Sequence, residues 1–379
     1  MPFQFDDTGR FNGKGVMNAV DNVNKIIAPA LLGLDATRQL EVDNAMLSLM
    51  PDAKLKLGGN AVAAVSAAAL KAGAAALDIP LYQHIGGSGA MFLPVPAVGV
   101  VSGSDRYGGG VTTPGGKPSV EVVLYDFDTF SEASYAGWEI SDRWRNKCRK
   151  LFKLNAGAAD TVNIPAGCVK SDLEIWELLA QTINEAGYEG KCGIQIDVAT
   201  DTYHNKEDDL YYGIFDDKPK KKSELFDYYK HIVKTYPIVI LEDPFNEDDY
   251  ETTAELTKAI DIQITGDDLF TTNPQRVAHG IKMGAANTVL LKVNQVGSIS
   301  EALEMIAYAY QHGYAVQPCS SRGEGEEIAD YCVGINAGSV RGSAIGDSGN
   351  RFLAIEAELG PRAKFFGKHG LKGSRFQKS

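Results

Sequence analysis

Three carboxylates and one lysine fall at equivalent places along this chain. Asp197 closes the run IQID, Glu242 closes IVILE, Asp267 follows IQITG, and Lys292 closes TVLLK. Each run is short, apolar and bounded by polar residues, the pattern of a buried strand. If these strands share one sheet, their carboxyl ends bring the three acids into one pocket. Mutual repulsion there is costly unless a divalent cation or bound protons relieve it. An all-oxygen set favours Mg²⁺ over Zn²⁺. A buried lysine needs a partner or a lowered pKa, and the latter suits such a group to act as a base. One acid after a strand is ordinarily a loop residue or helix cap. Three in succession, followed by a lysine on an apolar strand, are poorly explained that way.

The elements that must position them follow from periodicity. Strands are expected at 95–101, 119–125, 192–197, 237–242, 262–266, 288–292, 314–318 and 339–342. Helices are expected at 131–152, 172–187, 222–235, 249–259, 274–284, 298–312, 324–336 and 349–358. Eight strands, mostly alternating with helices, imply a closed α/β barrel with its site at the carboxyl ends of the strands. The first ninety residues read as helices instead, with apolar positions at helical spacing over 14–32 and Asp35 as an N-cap for a helix through 48. The alanine-rich stretch 61–77 presents a small-residue face suited to close packing against a larger body. Leu93–Pro94–Val95–Pro96 ends this part, so the expected domains are 1–92, helical, and 93–379, the barrel. Two stretches, 103–117 and 201–222, read as inserted loops.

A length of 379 residues suits one large barrel with a modest extra domain. Net charge of -12 argues against nucleic acid or an anionic membrane surface as partner. Five cysteines without a CxxC pair read as reduced thiols. No apolar run is long enough to span a bilayer, and Met1–Asp7 lacks a charged-then-apolar leader, so the expected location is cytoplasmic.

The segments GKGVMNAVDNVNKIIAPALLG (13–33), KLGGNAVAAVSAAALKAGAAALDIPLYQHIGG (56–87), LEDPFNEDDY (241–250), TGDDLFTTNPQRVA (265–278), LLKVNQVGSISEAL (290–303) and RFLAIEAELG (351–360) carry a resemblance. The chain resembles the enolases, the phosphopyruvate hydratases of glycolysis, over nearly its whole length. The resemblance implies an enolase-type (β/α)8 TIM barrel whose first strands depart from strict alternation, with a reduced helical amino-terminal domain. It implies that Asp197, Glu242 and Asp267 hold Mg²⁺, that Lys292 removes the α-proton of 2-phosphoglycerate, and that Glu121 is a further active-site acid.

The chain also departs from the family's pattern. The resemblance begins at GRFNGKGV, so most of the family's amino-terminal β-meander and its serine-bearing lid loop are expected to have no counterpart, and a second Mg²⁺ site is expected to be lost. Asp105 stands for the histidine of SHAGG, Pro165 for the glutamate of GDEGG, and Ser320 for the histidine of SHRSGE. Arg322 is a displaced phosphate ligand, and Arg341 replaces a substrate-binding lysine as a planar fork. One missing acid or base typically costs about 10²–10⁴ in rate, and groups acting as a unit fail together. These departures lead to the expectation of a degenerate, enolase-like structural or assembly component with a protein partner, a single Mg²⁺ site, very weak or absent turnover and no family-type homodimer. The alternatives are an active Mg²⁺-dependent hydratase or related lyase using Lys292, and a sensor that binds a phosphorylated acid without converting it.

Overall fold

A computed structural model describes residues 5–6, 10–102, 117–154 and 161–377 of the chain. Eight strands form the central sheet: β1 (Val95–Val101), β2 (Ser119–Leu124), β3 (Cys192–Asp197), β4 (Ile238–Glu242), β5 (Gln263–Gly266), β6 (Thr288–Leu291), β7 (Ala315–Pro318) and β8 (Ser339–Ser343). Their order around the sheet is β7-β6-β5-β4-β3-β2-β1-β8, a nearly closed barrel of the enolase type. Strand β2 runs antiparallel to both β1 and β3, and every other hydrogen-bonded neighbour is parallel. Two helices in succession, α3 (Phe130–Phe152) and α4 (Asp172–Glu185), separate β2 from β3. The consequence is local. The amino end of β2, not its carboxyl end, lies at the mouth where the parallel strands finish, and Ser119 pairs there with Asp197.

The strands are apolar on their outer face, where Ile194, Ile196, Val289 and Leu291 join helical residues such as Ile140, Trp144 and Trp176 in the main core. The indole Nε1 of Trp144 donates to the Val100 carbonyl at 2.9 Å, so its burial leaves no unpaired donor. Helix α5 (Lys222–Thr235), α6 (Tyr250–Ala259), α7 (Pro274–Met283), α8 (Ile299–Gln311), α9 (Ile328–Gly334) and α10 (Gly346–Leu359) complete the outer layer.

In the amino-terminal part, α1 spans Gln39–Leu47 and α2 spans Gly59–Ala76. The run expected as one helix over 14–32 is interrupted by a π-helical turn at Val23–Ile27. Pro29, which has no N–H, lies in the turn that follows. Asp35 does not cap α1. Its Oδ1 accepts from the Thr37 N–H at 2.9 Å and the Thr37 hydroxyl at 2.8 Å, closing a turn that ends before the helix begins. The small-residue face of α2 does pack closely. Ser66 accepts the Ile299 N–H at 2.9 Å, and buried Asp43 of α1 accepts the Ser300 N–H at 3.0 Å and the Ser300 hydroxyl at 2.7 Å. Orphan donors at the start of a barrel helix are thus satisfied from the amino-terminal helices. The expected loop 201–222 contains a short antiparallel ladder, His204–Asn205 with Leu210–Tyr211, and buries Tyr203, Tyr211 and Phe215. Of the other expected insertion, only Lys117 is among the described residues. No single described helix is long and apolar enough to cross a membrane.

The carboxyl-terminal segment belongs to an apolar cluster with barrel strands. Leu371 and Phe376 pack with Val95, Ala97, Val123 and Ile240, and Arg375 pairs with Asp261 at 2.8 Å. Its approach demands two glycines: a Cβ on Gly338 would lie 2.3 Å from the Gly370 carbonyl oxygen, and one on Gly370 would lie 2.1 Å from the Gly338 oxygen. Gly338→Ala is therefore expected to lower stability by about 1–3 kcal/mol, the range for overpacking a filled site. Urea denaturation checks this, and an unchanged midpoint contradicts it.

Candidate active site

The strand ends bring their polar residues together as the sequence implies. Asp197 and Glu242 are directly paired in the β3–β4 register. Both are buried, as are Asp267 and Lys292. A cavity of about 550 Å³ is lined by Asp197, Glu121, Asp267, Lys292, Arg322 and Arg341, with Glu242 buried behind it. Lys292 Nζ lies 2.5 Å from Asp267 Oδ2. The partner that a buried lysine needs is thus Asp267.

Arg341 on β8 spreads its guanidinium across three acids. Nη1 donates to Glu242 Oε1 at 2.8 Å, Nη2 bonds Asp197 Oδ2, and Nε lies 3.5 Å from Glu121 Oε1. Its side chain is only 12 % exposed, so these pairings are largely shielded from solvent. Burial opposes the guanidinium's charge, but Glu242 and Glu121 outweigh that cost and raise its pKa. Arg341 thus faces the carboxylates rather than the opening.

Lys117 is the cation that the strand-end pattern does not reveal. It lies just before β2, and the antiparallel direction of that strand delivers its Nζ onto Asp197 Oδ2. Burial, helped by nearby Arg341, lowers its pKa. The signal was available in principle: in an antiparallel barrel strand the residues preceding the strand, not those following it, reach the mouth.

Burial drives the Glu242 carboxyl up to about 7, against the pull of Arg341. Asp243, raised to about 7 by burial and then by Asp267 and Asp268, has a different job. Its oxygens accept the N–H groups of Asp267 at 3.0 Å and Asp268 at 2.8 Å, fixing the turn that presents Asp267. Oxygens of Glu242, Asp243 and Asp267 lie within 4.8 Å of one another, close enough to share a cation. Asp267 Oδ1 is buried without a hydrogen-bond partner. An orphaned carboxylate oxygen in an oxygen-only cluster fits a hard divalent cation. The sequence-expected ligand Asp197 is not part of this cluster: its Oδ2 pairs with Lys117 and Arg341, and Asp243 stands in its place.

The remaining expected residues are more scattered. Glu121 lines the cavity, its Oε2 accepting the Gly342 N–H at 3.0 Å. Ser320 and Arg322 lie on the rim after β7, where the Arg322 guanidinium has no ion-pair partner among the described residues. Pro165 does not line the cavity. Asp105 lies outside the described residues.

An eight-stranded β/α barrel with an acidic, lysine-bearing mouth defines a protein suited to cation-assisted proton chemistry. The model of the enolase C-terminal TIM barrel domain matches residues 90–374, and that of the enolase N-terminal domain matches residues 3–85. Enolase of Methanocaldococcus jannaschii is 39% identical over 373 residues, covering 96% of this chain and 86% of the relative. Enolase of Pyrococcus furiosus is 38% identical, covering 97% and 87%, and that of Bifidobacterium adolescentis 37%, covering 97% and 86%. The chain belongs to the enolase family.

These relatives overturn the expectation of a degenerate structural protein. The likeness runs through both domain models and favours the alternative, an active phosphopyruvate hydratase. The mouth also holds a cation outside the family motifs, Lys117, which the reversed strand places in the site beside Arg341.

Proposed function

We propose that this chain is a Mg²⁺-dependent carbon–oxygen lyase that converts 2-phosphoglycerate to phosphoenolpyruvate and water in the cytoplasm. The observation that carries the reading is Lys292 set among the buried strand-end acids, in a chain whose curated relatives are named enolase. Lys292 Nζ, as the neutral amine, accepts the proton from the substrate's C2, leaving the electron pair as an enolate. A single Mg²⁺ held by Glu242 and Asp267 would draw off the charge that builds on the substrate carboxylate. The C3–oxygen bond then breaks as the C2=C3 bond forms, and the hydroxyl takes a proton and leaves as water. Glu121, which lines the cavity, would supply that proton from Oε1, the oxygen that the Gly342 N–H does not hold. Arg322, at the rim with an unpaired guanidinium, is suited to the phosphate. Arg341 and Lys117 neutralise the acid cluster and keep the cavity receptive to an anionic substrate.

The test is the cation dependence of phosphoenolpyruvate formation. Chelation with EDTA is expected to stop it and millimolar Mg²⁺ to restore it. Turnover indifferent to both would exclude this reading.

A further inference from the structure

The barrel interior beneath the site is not lined by apolar side chains alone. Gln195, Gln263, Thr265 and Gln317 are all essentially inaccessible to solvent. Burying amides in a barrel is costly unless every polar atom finds a partner. Here they find one another in a single chain. The Lys372 N–H, from the carboxyl-terminal segment, donates to Gln263 Oε1 at 3.1 Å. Gln263 Nε2 donates to Thr265 Oγ1 at 3.2 Å, and the Thr265 hydroxyl donates to Gln317 Oε1 at 3.2 Å. Gln317 Nε2 donates to Gln195 Oε1 at 3.2 Å, and Gln195 Nε2 donates to Glu242 Oε2 at 3.0 Å.

Every bond in this chain points the same way. A backbone N–H can only donate, so Lys372 takes the oxygen of Gln263 and leaves its NH2 to donate onward. That end fixes the orientation of each amide in turn, and aligned donors polarise one another towards the carboxylate. The last bond has a further consequence. Gln195 occupies Glu242 Oε2, while Glu242 Oε1 accepts from Arg341, which lines the cavity. One oxygen is tied to the barrel interior and the other to a cation of the site.

We infer that Gln195 is a positioning residue that holds Glu242 as a one-oxygen cation ligand, its own amide oriented by the chain through Gln317, Thr265 and Gln263 to the carboxyl-terminal segment. The inference rests on the cation-binding part of the proposed function and names a residue that never touches substrate. Apolar side chains at these positions would fill the barrel without the cost of buried amides. What they could not do is direct a donor at Glu242.

The test reads cation affinity, not turnover. Mn²⁺ binding to the cation-free protein is followed by electron paramagnetic resonance in the parent, Gln195→Leu, Thr265→Val and, as a control, Val289→Ala, an outward-facing truncation on β6. Orienting partners of metal ligands are typically worth about 10–100-fold in affinity, so Gln195→Leu is expected to weaken Mn²⁺ binding by that factor. Thr265→Val is expected to weaken it less, and Val289→Ala to lower the melting temperature with affinity unchanged. Gln195→Leu with the parent's affinity overturns the inference, as does a parent that binds no Mn²⁺. Should Gln195→Leu fail to fold, an unchanged affinity in Thr265→Val overturns it equally. The expected affinities without any conversion of 2-phosphoglycerate would sink the hydratase reading and leave the role of Gln195 standing.

Discussion

Lys292→Ala is expected to lower kcat/KM for 2-phosphoglycerate by at least about 10²–10⁴-fold, the typical worth of a positioned base. The side chain is buried at the end of an apolar strand and held against Asp267 at 2.5 Å. Alanine leaves nothing on that strand end to accept the α-proton. The loss should be in kcat, because the base acts as the C2–hydrogen bond breaks and binds little of the ground-state substrate. A control separates lost chemistry from a collapsed site. Removing Lys292 frees Asp267 Oδ2, so Mn²⁺ should bind the variant at least as tightly as the parent. Turnover retained in Lys292→Ala would remove the lysine from the mechanism. Lost turnover together with lost Mn²⁺ binding would show that the lysine supports the cluster and not the reaction.

The second large effect concerns stability. Arg341→Met is expected to destabilise the cation-free protein by about 3–5 kcal/mol, the range for removing one partner of a buried ion pair. Its guanidinium bonds Asp197 and Glu242 and lies beside Glu121, and a thioether leaves those three acids with one paired cation, Lys117 on Asp197. A divalent cation supplies the missing charge, so millimolar Mg²⁺ should recover more stability in the variant than in the parent. Urea denaturation with and without Mg²⁺ reads both effects. Equal midpoints for parent and variant would show that the Arg341 pairings are dispensable. A deficit untouched by Mg²⁺ would show that no cation replaces the guanidinium among these acids.

How much of this was legible in the sequence depends on what kind of information each residue needed. Asp197, Glu242 and Lys292 could be placed because each ends an apolar run and strand polarity then decides where it points. The barrel strands followed the same logic, as in β3, whose Ile194 and Ile196 face the helices while Gln195 and Asp197 face inward. Asp35 misled because a side-chain oxygen ahead of a helix caps it only when the backbone enters helical geometry at the next residue. Here a Thr37 turn intervenes. The π-turn at Val23–Ile27 was hidden inside a pattern that remained apolar at helical spacing.

Lys117 and the glutamine chain were illegible for a different reason. Lys117 ends a glycine- and proline-rich stretch, and only the reversed direction of β2 turns the start of a strand into a wall of the site. Gln195, Gln263 and Gln317 lie on three separate strands, far apart in sequence, and their bonds exist only once the barrel brings those strands round one axis. The functional reading failed because replaced motif residues weigh less than a likeness that runs through both domain models.

The most direct measurement follows phosphoenolpyruvate formation by the purified chain from 2-phosphoglycerate and millimolar Mg²⁺, with Lys292→Ala assayed beside it. The account predicts enzyme-dependent product in the parent and none above background in the variant. Equal rates in the two would contradict it.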